Sequence, residues 1–306
     1  MFHFLKPLPA RRFAILLIVF SCVHASGRVE ETPNRAAHHW SVSWAPAQPV
    51  NGSPVLFRIK APMKLSSLTG KWIDHDVFFS FDQKSRIWYG IAGVSLETHP
   101  SRYTLTLIGE TAAEKEVSWQ KSVTVHKGKY RQIAVNVPKQ FTEPDVEQLK
   151  EIKEEQTLKH ETFAHSAPEK EWTGNFLPPV TAQISDVFGT ARVFNGETQS
   201  VHQGLDFAVP TGTPVNALNR GKVILARPLF FEGGCVVLDH GLGLMTIYMH
   251  LSKIEVKEGD MVSRKQELGL SGGTGRATGP HLHVAVRWQG IYLDPATLLK
   301  LKLPGS

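Results

Sequence analysis

Two histidines separated by one residue interrupt an apolar run in the stretch GPHLHVAV, residues 279–286. Side chains alternate along an extended strand, so His281 and His283 would share one face while Leu282 and Val284 take the other. Two imidazoles on one face suit a metal or catalytic cleft. The alternative is a pair of hydrogen-bonded strand histidines without chemistry, and residues elsewhere in the chain must decide between the two.

Two other segments supply matching side chains. The stretch SVHQGLDFAV contains His202 and Asp206, and YMHLS contains His250. Catalytic zinc sites use three nitrogen or oxygen ligands and leave one position for water. His202, Asp206 and one histidine of the HLH pair would complete that set and leave two imidazoles over. No glutamate base is evident, so the spare imidazoles are candidates to orient a zinc-bound water and to stabilise an oxyanion.

The segment that would position these residues, 176–301, consists of short β-branched runs separated by glycine-rich turns. This texture predicts a compact antiparallel β-sheet domain. Its loop SGGTGRATG leads into a strand and does not open a helix, which excludes a dinucleotide-binding loop and favours a wall beside a cleft. Cys235 and His240 are expected to be structural strand residues.

Residues 40–140 also read as short strands with turn signals between them, which predicts an immunoglobulin-like β-sandwich. Its Asp74-His75-Asp76 triplet has no second group at ligand spacing and is expected to carry no chemistry. Residues 141–175 are charged and glycine-poor, with apolar Val146, Leu149 and Ile152 at spacings of three, and predict a helical linker. The predicted fold class is therefore all-β, with two β domains joined by a helix.

The first 25 residues have the organisation of a signal peptide: Lys6, Arg11 and Arg12 precede a short apolar stretch that ends in small residues near Ala25. The apolar stretch is shorter than the roughly 20 residues of a membrane span. We therefore expect cleavage, no stable membrane span afterwards, and an exported protein that is periplasmic or secreted. Lipid attachment at Cys22 is the minor alternative.

The composition limits which classes of binding partner are expected. The 306 residues carry 34 Lys and Arg against 28 Asp and Glu, a formal charge of +6. Three of the cations belong to the predicted leader, and the excess that remains is too small to indicate nucleic acid. Without Cys22 only Cys235 is left, so no internal disulfide is expected. The sequence gives no indication of the oligomeric state.

The motifs together resemble the lysostaphin-type zinc metallopeptidases, the murein endopeptidases that cut peptide cross-links in bacterial cell walls. The resemblance covers roughly Val180 to Leu299 and includes DVFGTARV, HQGLDFAVPTGTPVNALNRGKV, YMHLS and GPHLHVAVR. It implies a zinc metallopeptidase domain with one Zn²⁺ per chain and peptidoglycan peptides as substrate. By the resemblance, the zinc ligands are His202, Asp206 and His283, and the catalytic histidines are His250 and His281.

The sequence is compatible with three functions. The leading one is an exported zinc endopeptidase that hydrolyses peptidoglycan cross-links. A second is a non-catalytic wall-binding activator of other wall hydrolases; such relatives typically lack one or more of the five site residues, and all five are present here. A third is a secreted endopeptidase that acts on glycine-rich proteins.

Overall fold

The computed structural model of the chain describes residues 39–135, 141, 143–194 and 198–305. The predicted leader and Cys22 lie outside these residues. Within them the secondary structure is predominantly β, as predicted from the sequence. None of the described helices combines the length and the apolar character that crossing a bilayer requires.

Two four-stranded antiparallel sheets occupy residues 41–125. Their strands are β1 (Ser41–Ala45), β2 (Pro54–Lys60), β3 (Ser67–Trp72), β4 (His75–Phe78), β5 (Ser80–Asp82), β6 (Ile87–Gly93), β7 (Ser101–Glu110) and β8 (Glu116–Val125). The strand orders are β1-β2-β6-β5 and β4-β3-β7-β8. Trp72 of one sheet contacts Phe57 of the other edge to face, with ring centroids 5.1 Å apart, so the two sheets share a core. The immunoglobulin-like assignment stays a prediction.

The segment that follows contains strand β9 (Gln132–Val135) and helix α1 (Val146–Ala164). A capping box begins the helix, because Asp145 accepts the amide of Gln148 at 2.9 Å and the Gln148 side chain accepts the amide of Asp145 at 3.0 Å. The predicted helix is therefore present. Its role as a linker stays a prediction.

The packed face of α1 differs from the apolar stripe that the sequence suggested. Ile152 is buried, but Val146 is 85% exposed and Leu149 is 52% exposed. Leu158 and Phe163, further along the helix, instead pack against a cluster under the C-terminal sheet. The first turns of α1 are exposed, so the regular spacing of their apolar residues does not indicate a buried face.

The C-terminal part of the chain is built around an eight-stranded sheet in the order β10-β13-β21-β17-β16-β15-β19, with β22 paired to β21. A second sheet has the order β14-β20-β18, and a third has the order β12-β11-β9. The bounds are β10 (Ile184–Asp186), β11 (Ala191–Phe194), β12 (Thr198–Val201), β13 (Leu205–Phe207), β14 (Pro214–Asn216), β15 (Gly221–Leu229), β16 (Gly233–Asp239), β17 (Leu244–Leu251), β18 (Lys253–Ile254), β19 (Met261–Val262), β20 (Glu267–Leu270), β21 (Leu282–Trp288), β22 (Ile291–Leu293) and helix α2 (Pro295–Leu298).

The strands of this part pair antiparallel with one another, as predicted, but β11 also pairs parallel with β9. The register sets Gln132 opposite Ala191 and Ile133 opposite Arg192. Strand β9 belongs by sequence to the predicted N-terminal domain, residues 40–140. The chain before the helix therefore contributes a strand to a sheet of the C-terminal part.

The two faces of β21 have different surroundings. Leu282 and Val284 are buried in the main hydrophobic core. Ala285 belongs to the smaller cluster on the opposite face, which is the face that His283 also occupies. The alternation predicted from the sequence thus sets the histidine pair on the side away from the main core.

A buried polar chain crosses the main core. The Nδ1–H of His240 donates to the carbonyl of Arg220 at 2.7 Å, and its Nε2 lies 2.8 Å from the Thr246 hydroxyl. The hydroxyls of Thr246 and Tyr248 are 3.2 Å apart, and the latter accepts the Leu218 amide at 2.8 Å. Burial lowers the pKa of His240 to about 4. The predicted structural role of His240 fits these contacts.

This burial makes a prediction about acid stability. In the unfolded chain His240 takes up a proton near its ordinary pKa of 6.5, whereas in the fold it does so only near 4. The free energy of unfolding should therefore fall as the pH drops from 6.5 towards 4, by up to ~3 kcal/mol from this residue. In urea titrations across that range, His240→Gln should show a shallower dependence on pH. Equal slopes for the two proteins would contradict the assignment.

Candidate metal centre

Three side chains that can bind a metal converge beside the eight-stranded sheet. His202 follows β12, Asp206 lies in β13, and His283 lies in β21 directly opposite Asp206. One ligand atom from each lies within 4.8 Å of the others, and all three residues are buried. Gly204 makes this approach possible, because a Cβ there would come within 2.4 Å of the His283 ring.

The hydrogen bonds identify which atoms face the centre. The Nδ1–H of His202 donates to the Val187 carbonyl at 2.9 Å, which leaves its Nε2 directed at the other two side chains. That Nε2 lies 3.0 Å from Asp206 Oδ1 and 3.0 Å from His283 Nδ1, and the last two atoms are 2.7 Å apart. Two imidazole nitrogens and one carboxylate oxygen therefore point at one place. This donor set fits a zinc ion.

The electrostatics favour the ligand forms of these groups. Burial alone would raise the pKa of Asp206, but hydrogen bonds with His202 and His283 hold it far below its ordinary value. Burial lowers the pKa of His283. Asp206 is therefore a carboxylate and His283 a neutral imidazole near neutral pH, and these are the states that bind a metal.

A second group of charged residues surrounds the ligands. Arg192 Nη2 lies 2.7 Å from Asp206 Oδ2 and 2.5 Å from Asp186 Oδ2. Asp186 in turn accepts from Arg131 and from the Thr190 hydroxyl, at 2.7 Å and 2.9 Å. Burial would raise the pKa of Asp186, but hydrogen bonds from the two arginines lower it below its usual value. The buried carboxylate of Asp206 is thus compensated by a chain of charges.

Sequence reasoning missed Asp186, Arg192 and Arg131 as parts of the site. The first two lie in the motif DVFGTARV, where they could have been noticed. Arg131 carried no signal, because it lies 55 residues before Asp186 in the chain and precedes the predicted linker. Only the pairing of β9 with β11 brings it close.

The two remaining histidines stand at the edge of the same centre. His250 donates its Nδ1–H to the Thr274 carbonyl at 2.8 Å, and His281 donates its Nδ1–H to the Gly279 carbonyl at 2.8 Å. Their rings are 4.7 Å apart, and His281 Nε2 is 3.9 Å from Asp206 Oδ1. Burial, with the nearby His283 and His281, lowers the pKa of His250 to about 3. Both rings keep Nε2 as the atom available for chemistry.

The five predicted site residues line two clefts that share His250. His202, His250 and His283 line the first, of about 320 Å³, and Asp206, His250 and His281 line the second, of about 310 Å³. The walls of the second cleft include Ile133 of β9 and a loop that precedes β21, represented by Arg276, Thr278 and Pro280. This loop is the glycine-rich stretch, and it leads into a strand as the sequence predicts. Among the described residues, the ligand triplet is the one set of three or more His, Cys, Asp or Glu side chains with clustered ligand atoms.

The residues that were predicted from the sequence to carry no chemistry line neither cleft. His75 packs its ring against Trp288 at 5.1 Å, and His160 is exposed on α1. Cys235 is buried in β16, and burial raises the pKa of its thiol. A buried thiol of raised pKa is inert as a nucleophile.

The sequence profile of peptidase family M23 matches residues 200–295. A crystal structure of a protein assigned to peptidase M23 from Pseudomonas aeruginosa superposes with a TM-score of 0.62 and 30% identity, over 82% of this chain and 95% of that one. The chain therefore belongs to peptidase family M23, a family of metallopeptidases.

Curated relatives match about a third to two fifths of this chain. Peptidoglycan DD-endopeptidase ShyA of Vibrio cholerae is 48% identical over 103 residues, which are 34% of this chain and 23% of that protein. DD-carboxypeptidase/endopeptidase Mpg of Neisseria meningitidis is 36% identical over 124 residues, 40% of this chain and 29% of that protein. The chain thus spans about a quarter of the length of these relatives.

The second group of charges makes a prediction about metal affinity. Arg192 is paired with the carboxylates of Asp186 and Asp206. Asp186→Asn removes the first of these charges, so that among the described residues only the Asp206 carboxylate still pairs with Arg192. Zinc should bind 10- to 100-fold more weakly, as for other changes behind metal ligands, and competition with a chromophoric chelator measures this. Asp76→Asn, at an exposed site on β4, is the control. Unchanged affinity in Asp186→Asn would show that these charges do not support the centre.

Proposed function

We propose that the protein is an exported zinc-dependent endopeptidase that hydrolyses peptide cross-links of bacterial peptidoglycan. The observation that carries the proposal is the convergence of His202 Nε2, Asp206 Oδ1 and His283 Nδ1 beside two further imidazoles. The names of the relatives, which are peptidoglycan DD-endopeptidases, support the substrate. The predicted leader, residues 1–25, supports export to the periplasm or the medium.

In this proposal His202, Asp206 and His283 hold one zinc ion per chain. A bound zinc ion lowers the pKa of its water to about 7 and polarises the carbonyl of the scissile bond. The protein's part is to hold the three ligand atoms in place. The carbonyl of Val187 sets the tautomer of His202, and Arg192 orients the Asp206 carboxylate through its second oxygen.

His250 and His281 are the proposed catalytic histidines. Each commits its Nδ1–H to a backbone carbonyl, so each ring is held in one orientation with Nε2 free to accept or return a proton. The low pKa of His250 keeps that nitrogen unprotonated in the resting site. One Nε2 can then orient the attacking water as a base, and a protonated Nε2 can donate to the oxyanion or to the leaving amine.

Alanine variants separate the two roles. His283→Ala leaves two protein ligands, so zinc content should collapse together with turnover. His250→Ala and His281→Ala should keep zinc and lose on the order of 100-fold in turnover, about 3 kcal/mol of transition-state stabilisation. Elemental analysis beside a turnover assay measures both quantities.

His160→Ala, at an exposed position on α1, is the control and should match the unaltered protein. Loss of zinc in His281→Ala with retention in His283→Ala would reverse the assignment within the HLH pair. Full activity in all three site variants would place the catalytic site elsewhere.

The substrate is tested by digesting purified sacculi and, separately, the glycine-rich protein elastin, with mass spectrometry of the new termini. We expect cut cross-links in the sacculi and intact elastin. Cleavage of elastin with intact cross-links would instead identify a secreted endopeptidase for glycine-rich proteins. A folded, zinc-loaded protein that cleaves neither but binds sacculi would match the non-catalytic activator.

A further inference from the structure

Helix α1 lies outside residues 200–295, the part that matches the peptidase family, yet two of its side chains reach the turn between β15 and β16. The carboxylate of Glu155 accepts the amide of Phe230 at 2.9 Å and 3.0 Å. Lys159 Nζ lies 2.6 Å from Glu232 Oε1, in an ion pair whose side chains are only 23% and 14% exposed. The helix therefore holds this turn, residues 230–232, at two points.

The turn at residues 230–232 also holds the backbone of His250. The backbone amide of His250 donates to the Glu232 carbonyl at 2.8 Å. His250 has a φ of 63°, a left-handed conformation that residues other than glycine adopt only when their surroundings impose it. The Glu232 carbonyl is thus part of what keeps His250 in this conformation.

The second anchor of His250 depends on the same turn. The Thr274 carbonyl, which accepts the His250 Nδ1–H, belongs to a loop packed on the β15–β16 hairpin. The Thr274 hydroxyl accepts the amide of Gly234 at 2.9 Å, and the amide of Arg276 donates to the Phe231 carbonyl at 2.8 Å. A shift of the turn would therefore move both hydrogen-bond partners that orient the His250 ring.

Docking of the helix does not rely on the ion pair alone. Leu158 and Phe163 pack on the apolar cluster under the sheet, and the Phe163 ring lies 4.7 Å from the Arg287 guanidinium. The Lys159–Glu232 pair can therefore be altered while the helix stays in place. Its removal would affect the turn more than the fold.

We propose that Lys159 is a positioning residue for His250: through Glu232 it fixes the turn that holds the catalytic imidazole in its strained conformation. The inference rests on the proposed function, because it takes His250 as catalytic. It assigns to a helix outside the matched peptidase region a direct part in the geometry of the site. Side chains placed wrongly by about 1 Å cost up to roughly 100-fold in rate.

The test uses the full chain, with sacculi as substrate. Lys159→Met should lower kcat on the order of 10-fold, with KM and zinc content unchanged, because Lys159 is not a proposed metal ligand and lines neither of the two clefts. Lys159→Arg, which restores the ion pair, should recover most of the loss. Lys150→Met, which alters a lysine that is 78% exposed on the same helix, is the matched control and should behave like the unaltered protein.

A second measurement does not depend on activity. The hydrogen-exchange rate of the His250 amide should rise in Lys159→Met, while that of the His281 amide, bound to Gly272, stays the same. The double variant Lys159→Met/Glu232→Gln leaves no unpaired buried carboxylate and should show the same slowing, which keeps the test valid if the single variant folds poorly.

The outcomes separate this inference from the proposed function. An inactive parent protein would overturn the proposed function, and a fully active His250→Ala would overturn the catalytic role of His250, while amide exchange would still report on the turn in both cases. An active parent protein with unchanged kcat and unchanged exchange at His250 in Lys159→Met would overturn the positioning role alone. A loss of similar size in Lys150→Met would also overturn it, because the effect would then be a general one of the helix.

Discussion

The buried negative charge of Asp206 is the constraint on which the site depends. A carboxylate withdrawn from water is costly unless charges and hydrogen bonds compensate it, and both of its oxygens are engaged here. Oδ1 faces the imidazoles and Oδ2 faces Arg192. Because Arg192 also needs a partner, the compensation extends to Asp186 and from there to Arg131. One acid thus requires contributions from strands far apart in the chain.

A second consequence concerns how the five predicted side chains hold their orientation. Each of the three histidines His202, His250 and His281 gives its Nδ1–H to a backbone carbonyl, and those carbonyls lie in loops and not in strands. The rings are therefore only as well placed as the loops are. Loops such as the glycine-rich one therefore set the orientation of histidines that themselves stand on or beside strands.

Much of this arrangement could be predicted from local sequence. Strand alternation alone set His281 and His283 apart from Leu282 and Val284, and the structure buries the latter two in the main core. The roles of the five residues were assigned by the family resemblance and not by strand alternation. The contacts of helix α1 could not be predicted in this way. In the charged segment 141–175, Glu155 and Lys159 have the sequence pattern of solvated helix residues, although in the structure they contact the turn between β15 and β16. Contacts between residues that are far apart in the sequence leave no periodic pattern from which they could be predicted.

The parallel pairing of β9 with β11 has a consequence beyond the cleft wall. A β-hairpin such as β11–β12 would otherwise expose the free backbone groups of β11, and an unprotected edge is a template on which other chains can add a strand. Strand β9 occupies that edge from within the same molecule. Removing the chain before helix α1 would therefore leave the backbone groups of β11 that pair with β9 without their partners.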